Sequence, residues 1–151
     1  MVATCNCPRI PRSYPGLVAL RCLIVDDNSG FLEAARMLLE QQGLQVVGVA
    51  STGCEAVRRA AELHPDVMLV DVDLGEESGF DVVRQLVDDP ALDPGHLILI
   101  SAHAEEDLAD LIEASPAIGF VGKPVLSVMA IERLLHAAGG GRDRPGEPAL
   151  R

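Results

Sequence analysis

The residues able to do chemistry stand at the ends of short apolar runs. Such runs stop at Asp26-Asp27, at Asp71 and at Ser101, and Lys123-Pro124 follows another. Two carboxylates about 4 Å apart repel by roughly 4 kcal/mol at an effective dielectric near 20. Crowded acids therefore need a proton or a cation among them. Hard carboxylate oxygens with room for water suit Mg2+. Lys123 is the one lysine of the chain, and the other eleven cations are arginines. A lysine offers a compact, rotatable point charge where arginine offers a planar fork. That shape fits the grip of a single phosphate oxygen.

These residues meet only if particular elements carry them to one place. Residues 20–25, 46–50, 67–70, 96–100 and 118–121 read as short strands that are apolar but for Arg21 and His96. Between and after them lie helical patterns at 31–42, 54–63, 80–87, 105–114 and 127–138. Gly43 closes the first helix. Strands without polar alternation belong in a parallel sheet covered on both faces, and right-handed crossovers place helices on both sides. The expected fold is α/β, a (βα)5 doubly wound, flavodoxin-like sheet of strand order 2-1-3-4-5. Ligands in such sheets bind beyond the carboxyl ends of the strands. Asp26, Asp27, Asp71, Ser101 and Lys123 then converge on one edge.

Composition narrows the function classes. The 151 residues suit one domain, and a hydrophobic share of 48% is enough to fill a core. Residues 1–18 and 139–151, punctuated by proline and glycine, read as a mobile N-terminal extension and a disordered tail around a domain at 19–138. That domain holds 7 basic and 21 acidic residues, a net charge of −14. So acidic a body repels phosphate backbones, and direct DNA binding is not expected. No apolar run is long enough to cross a membrane. Cys22 and Cys54 lie in apolar patterns and read as small buried residues. Together with Cys5 and Cys7 they show no disulfide framework, which fits a cytoplasmic location.

Asp26-Asp27, Asp71, Ser101 and Lys123-Pro124 at these strand ends resemble the receiver domain of two-component response regulators. The resemblance spans residues 20–138. Asp71 precedes Ser101 by 30 residues, and Ser101 precedes Lys123 by 22. Gly79 and Phe120 also fall at family positions, Phe120 at that of the switch aromatic. The resemblance implies that Asp71 is the phosphoacceptor. Asp26, Asp27, Asp71 and the backbone carbonyl of Asp73 would hold Mg2+, the Asp26 contact directly or through water. Lys123 would pair with Asp71 and then with the phosphate, and Ser101 would hydrogen-bond a phosphate oxygen. The donor would be a sensor histidine kinase or a phosphotransfer protein. Gly75 departs from the family's common proline, and Asp73 and His103 bring extra titratable groups beside the site.

Two other readings compete. Asp71-Val72-Asp73 resembles the nucleophile motif of haloacid-dehalogenase-type phosphatases. That family needs an acidic pair after the lysine, and here the pair lies upstream. A degenerate receiver acting purely as an interaction module would not need the intact polar set. Only 13 residues follow residue 138, so the expectation is a stand-alone receiver, not an enzyme beyond its own phosphorylation and dephosphorylation. Its signal would pass to an unidentified protein target through the face formed by the fourth helix, fifth strand and fifth helix.

Overall fold

The computed structural model describes residues 20–143. The expected N-terminal extension and the end of the tail lie outside the described residues. Strands β1 (Arg21–Val25), β2 (Gln45–Ala50), β3 (Val67–Asp71), β4 (His96–Ser101) and β5 (Gly119–Gly122) form one sheet. All its pairings are parallel, and the order is β2-β1-β3-β4-β5, as expected. The helices are α1 (Ser29–Gln41), α2 (Gly53–Leu63), α3 (Gly79–Asp88), α4 (Ala109–Ala114) and α5 (Val128–Asp143).

Local chemistry explains the boundaries. Asn28 caps α1 by accepting from Phe31 N, and Thr52 caps α2 by accepting from Glu55 N. The Glu55 carboxylate reaches back to Ser51 N at 2.9 Å, so each side chain satisfies an otherwise orphaned donor. That backbone contact leads the effects holding the Glu55 carboxyl below its ordinary range. Gly43, at φ +99°, ends α1 in the left-handed region that favours glycine.

Side chains alternate across each strand, and the sheet separates two apolar cores. Leu23, Val25, Met68, Val70, Leu97 and Leu99 face the side packed by α2 and α3. Cys22, Ile24, Val67, Leu69, Ile98 and Ile100 face the side packed by α1 and α5. Both faces are covered, which is why the strand interiors are apolar on both faces.

The structure differs from expectation in four places. The fourth helical pattern divides into a 3-10 turn, Glu105–Leu108, and the six-residue α4. None of its residues is buried, so little packing favours one continuous helix. Helix α5 continues to Asp143, five residues past the expected end and into the segment read as a tail. Residues Asp73–Leu74 and Glu77–Ser78 pair as a two-residue antiparallel ribbon ahead of α3. Cys22 is fully buried, and desolvation pushes its thiol pKa up. Cys54, however, is exposed. It stands in the first turn of α2, where Gly53, Ala56 and Ala60 provide the buried positions.

Candidate functional site

The carboxyl edge of the sheet collects the predicted residues. Asp26 follows β1 and is fully buried, Asp71 ends β3 and is 4% exposed, and Ser101 ends β4 and is 1% exposed. Asp27 is exposed beside them. One carboxylate oxygen each from Asp26, Asp27 and Asp71 lies within 4.8 Å of the others. Among the described residues this is the one cluster of its kind.

Each side chain is held from a defined direction. Asp26 Oδ1 accepts from Asn28 N at 2.8 Å, which fixes the carboxylate plane. Its Oδ2 lies 2.7 Å from Lys123 Nζ as an ion pair, yet receives no well-aligned hydrogen bond. The ammonium neutralises only part of the negative charge gathered here, and hard carboxylate oxygens suit a metal cation as well. Lys123 Nζ also lies 3.4 Å from Asp71 Oδ2. The lysine opens a 3-10 turn, Lys123–Val125, where β5 ends. Its ammonium sits 4.3 Å from the centre of the Phe31 ring. Ser101 Oγ accepts from His103 N at 2.9 Å, leaving its own proton to donate. Phe120, on β5 opposite Leu99, is half-buried against the α2–α3 core.

The electrostatics follow from this packing. Burial, then the negative charge of Asp26, raises the Asp71 pKa from 3.8 to about 6, although Lys123 opposes both. Burial by itself would lower the Lys123 pKa, but the Asp26 and Asp71 carboxylates outweigh it and raise it. The site thus carries more negative charge than its one ammonium balances.

The loop after β3 is built to approach closely. A Cβ on Gly79 would fall 2.0 Å from the Asp71 carbonyl oxygen, so no side chain fits there. Gly79 N instead donates to Val72 O at 2.7 Å. Gly75 has φ +68° and turns the ribbon beside Asp27. Asp73 N donates to Asp71 Oδ1 at 3.4 Å. The Asp73 carboxylate meets His103 Nε2 at 3.2 Å, with both side chains largely exposed. Glu77 Oε1 accepts from Gly53 N at 2.7 Å and ties the loop to the start of α2. Sequence reasoning singled out Asp73 and His103 but not their contact. It missed Phe31 and Glu77 altogether, because neither motif nor spacing marks them. A separate recess of about 470 Å³, lined by Leu20, His64, Asp66, Asp93, His96 and Leu135, lies at the opposite end of the sheet and shares none of these residues.

A parallel sheet in this order, with three aspartates and a lysine at its carboxyl edge, defines a phosphoacceptor-type site on a flavodoxin-like fold. The chain belongs to the response regulator receiver domain family, whose model matches residues 22–137. It is a receiver of two-component signalling. It is 36% identical over 121 residues to protein-glutamate methylesterase/protein-glutamine glutaminase 5 of Myxococcus xanthus, covering 80% of this chain and 34% of that protein. It is 32% identical over 112 residues to the polar-differentiation response regulator DivK of Brucella ovis, covering 74% and 90%. Among solved structures, a LuxR-family two-component response regulator from Aurantimonas sp. is similar at TM-score 0.69 and 28% identity, covering 80% and 87%. The chain spans about a third of the length of the methylesterases it matches, so their enzymatic parts are not covered. The phosphatase reading gains nothing from these likenesses, and its downstream acidic pair is absent from the described site.

Proposed function

We propose that Asp71 is the phosphoacceptor. The observation that carries this reading is its nearly buried carboxylate at the end of β3, sharing the single lysine's ammonium with Asp26. One Asp71 oxygen attacks the phosphorus of a phosphohistidine or a small acyl phosphate. The bond from phosphorus to the donor breaks, and the leaving group departs with its electron pair. Such transfer rests on positioning and charge neutralisation more than on covalent machinery.

The residues present fit Mg2+. Asp26, Asp27, Asp71 and the backbone carbonyl of Asp73 would hold it, and the gathering of the three carboxylates within 4.8 Å is the strongest support. Bound there, the ion supplies positive charge where an anionic carboxylate meets an anionic phosphate. Lys123 turns from Asp71 to the new oxyanion, and the Ser101 hydroxyl donates to another phosphate oxygen. Drawing Ser101 inward shifts the segment after β4, and Phe120 on the adjacent strand rotates into the space released.

The partners that suit this chemistry are a sensor histidine kinase or a phosphotransfer protein upstream and a protein target downstream. The output surface is the 3-10 turn Glu105–Leu108 with α4, β5 and α5. Glu105, Glu106, Asp107, Asp110 and Glu113 are exposed along it, so the target presents basic groups. The receiver domain occupies 19–138, and its chemistry is limited to its own phosphorylation and dephosphorylation. No described helix is long and apolar enough to cross a membrane, which supports a cytoplasmic place beside the kinase domain. Mass spectrometry after incubation with acetyl phosphate and Mg2+ tests the assignment. One added phosphoryl group is expected, lost in Asp71→Asn. Labelling that persists unchanged in the variant would exclude Asp71.

A further inference from the structure

Lys123 has a third neighbour besides its two carboxylates. The Phe31 ring faces the ammonium, with Nζ 4.3 Å from the ring centre. We propose that Phe31 is a positioning residue whose ring face holds the Lys123 ammonium at the Asp71 edge, ready for the oxyanion that phosphorylation creates. The inference rests on Asp71 being the phosphoacceptor.

The contacts form a closed circuit. Asp26 Oδ1 orients Asn28 at 2.8 Å, and Asn28 Oδ1 accepts from Phe31 N at 3.0 Å and so places the first turn of α1. Phe31 then faces Lys123, whose Nζ returns to Asp26 Oδ2 at 2.7 Å. The negative face of an aromatic ring attracts an ammonium within about 6 Å. Three carboxylates already crowd this edge, and a fourth would worsen their repulsion. A neutral ring attracts the lysine without adding charge. Nor does it occupy a hydrogen-bond donor that the phosphate would have to win back. It also covers part of a side chain that is only 18% exposed, which limits competition from water. Simple core packing does not explain the choice, since Leu or Ile would fill a half-buried position on α1 equally well.

Stepwise fluorination of the Phe31 ring tests this. Fluorine weakens the negative face and hardly changes the shape. The chain is made with mono-, di- and trifluorophenylalanine at 31, together with Phe31→Tyr and Phe31→Leu. Two quantities are read: the initial rate of labelling by acetyl phosphate with Mg2+, and the half-saturating concentration of beryllofluoride. The logarithm of the labelling rate should fall in proportion to fluorination, by about three- to fivefold over the series. Half-saturation should rise in parallel. Phe31→Tyr should stay near wild type and Phe31→Leu should match the trifluoro protein. The Lys123 ε-methylene protons should be shifted upfield by the ring in wild type and return to ordinary positions in Phe31→Leu. A flat fluorination series overturns the proposal, whether or not Phe31→Leu is slow, because a packing role alone predicts flatness. A wild type that acetyl phosphate does not label overturns the Asp71 reading and this role with it, even with the ring-shifted protons present.

Discussion

Replacing Asp71 by asparagine should stabilise the fold at neutral pH while removing the proposed phosphoacceptor. The Asp71 pKa rises from 3.8 to about 6 in the folded protein, chiefly because the carboxylate is buried and then because Asp26 is charged. At about 1.4 kcal/mol per tenfold change in proton affinity, ionised Asp71 destabilises the fold by roughly 3 kcal/mol relative to its neutral form. The sign follows from the direction of the shift. A carboxyl with a raised folded pKa contributes its stability fully below pH 3.8 and loses it as pH climbs through 6. Asparagine is neutral and nearly the same shape, so it keeps the low-pH value at every pH. The 3.4 Å ion pair with Lys123 is already counted in that shift, and Asp26 remains as the lysine's counterion at 2.7 Å. The net expectation is a gain of about 2–3 kcal/mol at pH 8 without Mg2+, fading to near nothing around pH 4. Urea unfolding of both proteins at pH 8, 7, 6, 5 and 4 measures it. A variant that is less stable at pH 8, or a difference that does not change with pH, would refute the reasoning. Added Mg2+ should narrow the gap from the wild-type side.

Three other expectations follow from the same geometry. Lys123→Arg should slow labelling by acetyl phosphate at least tenfold, because a planar fork does not fit between two carboxylates and the Phe31 ring; stopped-flow or mass-spectrometric rates decide it. Gly79→Ala should cost upward of about 3 kcal/mol or prevent folding, since its Cβ would strike the Asp71 carbonyl oxygen at 2.0 Å; a thermal melt within a degree of wild type would contradict it. Ser101→Ala should leave Asp71 able to accept a phosphoryl group but remove the chemical-shift changes that beryllofluoride produces in residues 105–138. Full-size changes there in the variant would argue against the hydroxyl as the trigger.

The sheet and the reacting edge were legible because their signals are dense. Five short, mostly apolar runs read as covered strands, and those that stop at acid announce where the strands end. Asp26, Asp71, Ser101 and Lys123 each sit at such a boundary, so order and position came together. Phe31 was not legible as part of the site. It reads as the first apolar residue of an amphipathic helix, and only the capping geometry at Asn28 turns it toward a lysine 92 positions away. Cys54 was misplaced because the α2 stripe is made of Gly53, Ala56 and Ala60, which are too small to show phase by hydropathy. The division at Leu108–Ala109 escaped notice since both halves obey the same apolar spacing. The five added residues of α5 begin at Gly139, where glycine argues against helix and gives no reason to continue.

The sheet that parts the interior into two cores also parts its tolerance for change. Leu108, Ile112 and Phe120 pack on the core under α2 and α3, whereas Ile131, Leu39 and Leu32 belong to the other. A rearrangement around Phe120 therefore disturbs one side of the molecule and leaves the packing of α1 against α5 in place. A change of volume at Met68 is met within the cluster that holds Val83 and Leu86, whereas Leu69, one position along the strand, belongs to the other. The α2–α3 side can thus be remodelled with little consequence for the packing of α1 and α5 on the opposite face.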